Sequence, residues 1–170
     1  MKAAVLCNGP SRTAFSGRGN YDLVIGCNIP WTDVDYTVIL DQQVVRLWGK
    51  RPGLITVPVY FSEKAWAETH KAPPGRSFFR PFLAEIIRPK YPYHSSGHNA
   101  CEVAIRRGAK SVDVYGCDSW FSHCTISYTR EHIKEGGATP GDMKHIIGWR
   151  NRWKEIMQNH PDINISFIEP

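Results

Sequence analysis

Long apolar runs are missing from this 170-residue chain, so no stretch reaches the roughly 20 residues that cross a bilayer as a helix. No C-x-x-C pair occurs. The five cysteines, Cys7, Cys27, Cys101, Cys117 and Cys124, stand singly. An odd, dispersed set of this kind suits reduced thiols rather than a disulfide framework. His123 lies beside Cys124, but no four ligands have zinc spacing, so neither a metal nor any other cofactor is expected. The opening residues, Met1-Lys2-Ala3-Ala4-Val5-Leu6-Cys7, meet a polar turn too soon for a signal peptide. Internal repeats and low-complexity tracts are lacking too. These absences lead us to expect a soluble, cytoplasmic protein without a membrane span.

What is present is ordinary for a globular protein: 42% hydrophobic and 22% charged residues, enough to build a sizeable core. The net charge of +5 suits an anionic ligand or nucleic acid. The basic residues are not gathered into one block, however. The densest group, Arg46 to Arg51 with Lys50, also fits a solvated face.

Four apolar runs open the chain: Ala3 to Cys7, Tyr21 to Cys27, Tyr36 to Leu40 and Leu54 to Phe61. Continuous runs of this length, bounded by turn residues, suit buried parallel strands. The stretch 72–94 differs, holding Pro73, Pro74, Pro81, Pro89 and Pro92 among Phe78, Phe79 and Phe82. It reads as an irregular flap or short-helix region rather than regular structure. A helix follows from Gly97 to Arg107, with Ser96 as N-cap and Gly108 as its stop. A strand at Ser111 to Tyr115 comes next. Thr139-Pro140-Gly141-Asp142 then has the pattern of a helix start, and the helix runs to about Asn159, burying Ile146, Trp149, Trp153 and Ile156. A last strand spans Ile163 to Ile168. Alternating strands and helices imply a single Rossmann-like α/β domain over residues 1–170, with a mostly parallel sheet, helices on both faces and the 72–94 flap within it.

Four places carry candidate chemistry. Asn8-Gly9-Pro10-Ser11 follows the first strand, where Gly9 permits close backbone approach and Asn8 and Ser11 offer short polar groups to a phosphate or ribose. The same residues also make a plain turn. Ser95-Ser96-Gly97 opens a helix, where N–H groups and the helix dipole favour an anion, and where a hydroxyl also serves simply as a cap. Gly116-Cys117-Asp118 closes a strand. An acid there takes ribose hydroxyls, or else sits in a surface turn. His145 lies early in the last helix, where the dipole disfavours its charged form. That makes it either a neutral base or an exposed helix histidine.

In order and spacing these elements resemble the Campylobacter-type bacterial sialyltransferases, glycosyltransferase family 42. The matching pieces are Val5-Leu6-Cys7-Asn8-Gly9-Pro10-Ser11, Tyr21-Asp22 through Cys27-Asn28, Ser95-Ser96-Gly97, and Val114-Tyr115-Gly116-Cys117-Asp118. The stretch from His145 to Pro170 matches the family's C-terminal end in length. The resemblance implies a domain that binds a CMP-linked sugar. Asn8, Gly9, Pro10, Ser11, Asn28 and Asp41 would line the phosphate and sugar end. Ser95, Ser96 and Gly97 would hold phosphate and ribose, and Gly116 and Asp118 the nucleoside. His145 would be the general base toward an acceptor hydroxyl. Trp120 stands where the family has a phosphate-stabilising tyrosine, and Asp41 where it has an uncharged amide.

Three functions therefore stand as expectations. One is a glycosyltransferase-like enzyme passing a sugar from a nucleotide donor to an acceptor or to water. The second is a nucleotide-binding module without turnover. The third is a nucleic-acid-modifying enzyme using the basic and aromatic stretch from Arg76 to Tyr93.

Overall fold

A computed structural model of the chain describes residues 1–89, 94–122, 128 and 143–169. Seven strands form one sheet in the order β5-β4-β3-β2-β1-β6-β7. They are β1 (Lys2–Leu6), β2 (Leu23–Cys27), β3 (Tyr36–Ile39), β4 (Val59–Ser62), β5 (Leu83–Ile87), β6 (Ser111–Tyr115) and β7 (Asn164–Phe167). Every pairing between neighbours is parallel. This is the single Rossmann-like α/β architecture that the alternating pattern implies.

The strands are apolar on both faces because both faces are covered. Ala3, Val5, Ile25, Val112 and Val114 point to one side, beneath α4 (Ser96–Arg106) and the last helix, α5 (Met143–Asn159). Ile39, Val59 and Phe61 point to the other, against α1 (Gln42–Lys50) and α2 (Glu63–Glu68). On that second face Ala4, Leu6, Val24 and Tyr115 meet Phe15, Tyr21, Trp31 and Val34 from the loops. Ile146, Trp153 and Ile156 are buried along α5 at helical spacing, and Trp149 is partly buried. The Thr139–Asp142 start expected for that helix lies outside the described residues, as do His123 and Cys124.

The structure defines elements that the sequence reading left unplaced. The 46–51 basic group lies on α1 and its C-cap, Arg51; α1 is an amphipathic helix that buries Val44, Val45 and Trp48 and is capped at its start by Asp41. The stretch 72–94, read as a flap or short-helix region, holds the short helix α3 (Arg76–Phe79) but also a regular edge strand, β5, paired with β4. Residues 90–93 of that stretch are outside the described set. Leu54 belongs to a 3-10 turn at Pro52–Leu54, so β4 begins later than its apolar run. The N-cap of α4 is Ser95, not Ser96, and Gly108 follows its C-cap at φ 95°. Among the described residues, no helix is long and apolar enough to cross a membrane.

Trp48 anchors the cluster under α1. It is fully buried, its Nε1 donates to the Pro52 carbonyl at 3.1 Å, and Phe61, Phe78, Phe79 and Phe82 ring it at centroid distances of 5.0–6.3 Å. Trp48→Ala should cost about 3–5 kcal/mol through the cavity it leaves. Urea unfolding should show the midpoint falling with an unchanged m-value.

Candidate functional site

A parallel sheet places every strand's carboxyl end on one edge. The chain moves outward from β1 to β5 on one side, then returns to build β6 and β7 on the other. The β1–β6 boundary is therefore the topological switch point, where open α/β sheets bind ligands. The loops after β1 and β6 meet there.

They are clasped. Asp118, buried just past β6, accepts the backbone N–H of Ser11 at 3.1 Å and the Ser11 hydroxyl at 3.0 Å. The same hydroxyl oxygen accepts the Gly116 N–H at 3.1 Å. Gly9 N–H donates to the Gly116 carbonyl at 2.8 Å, extending the β1–β6 ladder one step past the strands. The glycines are needed for this approach. A Cβ on Gly9 would collide with the Asp118 carboxylate and come within 2.6 Å of the Gly116 carbonyl oxygen. Gly116 has φ 68°, and a Cβ there would meet the Cys7 carbonyl oxygen at 2.6 Å. These glycines make room for each other's loop.

The loop after β2 joins from the next strand. Asn8 donates through Nδ2 to the Cys27 carbonyl at 2.7 Å. Asn28 turns at φ 60°, a left-handed conformation that asparagine tolerates, and its Oδ1 accepts the Ser96 hydroxyl at 3.2 Å. The first turn of α4 completes the group. Gly97 packs so tightly that a Cβ would lie 2.6 Å from the Cys7 sulfur. The N–H groups of Ser96 and Gly97 belong to a first helical turn, where no intrahelical carbonyl is available to them.

Beneath the loops the floor is apolar. Cys7, Cys27 and Cys117 come from three adjacent strand ends, with Cys101 from α4. The Cys7 thiol is held well above its ordinary pKa. A hydrogen bond with Cys117 opposes this, but the bond with Cys27 and burial outweigh it. Cys117 is raised by its bond with Cys7 and by burial, and Cys101 chiefly by burial. These are protonated packing thiols. Among the described residues, no group of three or more His, Cys, Asp or Glu side chains is placed to hold a metal.

The remaining predicted residues make none of the clasp's hydrogen bonds described above. Pro10 opens the 3-10 turn that carries Ser11. The exposed Asp41 caps α1, accepting the Gln43 N–H at 2.8 Å. Trp120 stacks on Phe167 of β7 with centroids 4.3 Å apart. His145 is exposed in the first turn of α5, its ring 5.9 Å from that of Trp149.

Two residues the sequence did not single out matter here. His98, fully buried, has Nδ1 2.9 Å from the Ser95 N–H and Nε2 2.9 Å from the Trp149 carbonyl. A backbone N–H only donates, so Nδ1 is the acceptor and Nε2 carries the proton to α5. Burial pushes the imidazole pKa down to about 3. Its Ser-x-x-His spacing imitates a capping box, with histidine in place of the usual Glu or Gln. The other is Arg12, directly after Ser11. Its guanidinium lies 3.9 Å from the Tyr128 ring centroid and 5.4 Å from that of Trp31. Tyr128 is itself tethered, its N–H donating to the Asn8 carbonyl at 2.8 Å.

No family model matches the sequence, and no curated protein matches it. Among solved structures, a probable thiamine pyrophosphokinase from Staphylococcus saprophyticus subsp. saprophyticus is similar, at 19% identity and a TM-score of 0.42. The alignment covers 99% of this chain, which spans 65% of that protein's length. So distant a likeness carries no argument about activity. These findings overturn the resemblance to glycosyltransferase family 42. No family model and no curated protein supports it. The sialyltransferase and glycosyltransferase assignments, and sugar transfer from a CMP-sugar, are corrected accordingly. The Asn-Gly-Pro-Ser and Gly-x-Asp motifs that carried the resemblance have a local explanation in the clasp they form with each other.

Two outcomes test this geometry. Gly9→Ala should destabilise the fold by more than 2 kcal/mol, because its Cβ meets a buried carboxylate and a backbone carbonyl; chemical denaturation measures the loss (about 1–3 kcal/mol for overpacking alone). His98 binds its proton more weakly folded than unfolded, so its contribution is complete above about pH 6.5 and is lost as pH falls toward 3. Unfolding free energy measured from pH 7 to pH 4 should therefore fall more steeply in wild type than in His98→Gln. The excess slope should reach at most about 1.4 kcal/mol per pH unit.

Proposed function

We propose that this chain binds a nucleotide, or a similar phosphate-bearing nucleoside derivative, over the carboxyl ends of β1, β2 and β6. One observation carries the reading. Segments around Asn8, Asn28, Ser96 and Asp118, far apart in sequence, interlock at the switch point of a parallel sheet. In this reading the Ser96 and Gly97 N–H groups and the dipole of α4 face the phosphate. The clasped loops supply a rim whose geometry is set before the ligand arrives, which lowers the ordering cost of binding. The net charge of +5 favours an anionic ligand over a neutral one. The reading concerns binding, and the thiols beneath the rim are packing groups rather than activated nucleophiles.

A thermal-unfolding panel of 5′-nucleotides, each paired with its nucleoside, tests this. At a hundredfold excess over Kd a nucleotide should stabilise by about 2.7 kcal/mol, roughly 5–10 °C in Tm, with the nucleosides well below that. No shift with any nucleotide overturns the proposal. Stabilisation by single-stranded DNA or RNA alone, lost as salt is raised, favours a nucleic-acid ligand instead.

A further inference from the structure

We infer that the groove between α2, the α3 turn and the start of β5 binds a small phosphate monoester carried on an aromatic or apolar body. The inference is independent of the nucleotide reading. Leu83 opens the edge strand β5, which β3 and β4 separate from β2, and it stands at the amino-terminal edge of the sheet, opposite the clasped loops.

Packing of the local chain turns two arginines toward this groove. Phe78 and Phe82 pack against Trp48 under α1, and Phe79 is fully buried with them. With those rings turned inward, Arg76, Ser77, Arg80 and Pro81 line an open groove of about 790 Å³ together with Trp66 and Leu83. No wall residue is acidic. The two acids of segment 63–83 are engaged from outside it, Glu63 by Arg88 at 2.6 Å and Glu68 by Arg46 at 2.7 Å. Two cations therefore share one groove with no carboxylate in its wall, an arrangement that an anion relieves.

The two arginines are held differently. Arg76 is fixed in place. Its Nε donates to the Thr69 hydroxyl at 3.1 Å, its Nη2 to the Trp66 carbonyl at 3.0 Å, and its guanidinium centre lies 4.7 Å from the Trp66 ring centroid. Those bonds use two of the five N–H donors of the group and leave the others for a ligand. Arg80, exposed four residues on, makes no ion pair or side-chain hydrogen bond among the described residues. A phosphate monoester brings a charge of about −1.5 to −2 near neutral pH and three acceptor oxygens. Two guanidinium groups match that charge, where a single carboxylate would meet only half of it. Trp66, Pro81 and Leu83 give an apolar wall to the body that carries the phosphate. Two arginines are too short a track for a nucleic-acid strand, whose binding grows with the number of phosphates neutralised.

The test is a two-dimensional NMR titration of wild type, Arg80→Met and Arg76→Lys, read at the groove resonances. The probes are phenyl phosphate, inorganic phosphate, phenol and oligothymidylate. Phenyl phosphate should shift the Trp66 indole and the amides of Ser77, Arg80 and Leu83, and should bind more tightly than inorganic phosphate or phenol. Arg80→Met removes no ion pair or side-chain hydrogen bond of the fold, so it should weaken phenyl phosphate about tenfold at an unchanged Tm. Any shifts at Gly9, Gly97 and Gly116 should be the same in that variant as in wild type. Arg76→Lys should weaken phenyl phosphate as well, because lysine lacks the fork. Phenyl phosphate that shifts no resonance of residues 66–83 in wild type overturns the inference, and that result needs no variant to fold. Arg80→Met binding as wild type does, or phenol binding as tightly as its phosphate, overturns it equally. If oligothymidylate alone occupies the groove, its ligand is a nucleic-acid strand and the inference fails. Each of these failures leaves the nucleotide reading standing, since that site is reported by Gly9, Gly97 and Gly116.

Discussion

The hydrogen bonds between Ser11 and Asp118 join two loops that arrive from opposite halves of the sheet, 107 residues apart. A carboxylate is costly to bury unless it is hydrogen-bonded, and Ser11 supplies both a backbone and a side-chain donor. Much of the local sequence follows from that one requirement. The loops must approach closely enough for the serine to reach, which puts Gly9 and Gly116 where a Cβ would strike the opposite strand's continuation. They must also be anchored from below. Cys7 N–H continues the β1–β6 ladder to the Tyr115 carbonyl at 2.8 Å, and Asn8 ties across to β2.

A second constraint holds the helices over this edge. His98 links the N-cap of α4 to a backbone carbonyl of α5, and its ring lies 4.5 Å from that of Trp153. A buried neutral imidazole fits because it can accept on one nitrogen and donate on the other, which neither a lysine nor a carboxylate does. Arg150 adds a further tie from α5, donating to the Ser119 carbonyl at 2.7 Å in the turn after β6. The α4 N-terminus is thus fixed relative to all three strand ends beneath it. That is the preorganisation an anion site needs.

The strands β1, β2, β3 and β6 were legible because a parallel strand buried on both faces is an unbroken apolar run ending at turn residues. Ser111–Tyr115 matched to the residue. Helices α1 and α2 and strand β5 were not. Arg46 and Lys50 on α1 drew attention to charge, while Val44, Val45 and Trp48 on its other face carry the packing. In β5, Ala84, Glu85 and Ile86 are exposed, as an edge strand allows, so the segment lacks the apolar signature of the central strands. The helix cap shifted by one residue because Ser95 and Ser96 are chemically alike, and only the placement of His98 distinguishes them.

The candidate site divides along the same line. Turn chemistry and strand ends, which are local, marked Asn8, Ser11, Ser96 and Asp118 as candidates, the resemblance added Asn28, and alternating elements alone implied a mostly parallel α/β sheet. What each polar group faces was decided by tertiary structure. Asp118 turned to Ser11 rather than outward, Asp41 to its own helix, and Trp120 to Phe167. Arg12 gained its neighbours only when Trp31 and Tyr128 came to it from elsewhere in the chain. Backbone conformation depends on residues a few places away, whereas the partner of a buried hydrogen bond or a stacked cation depends on which distant segments share its space.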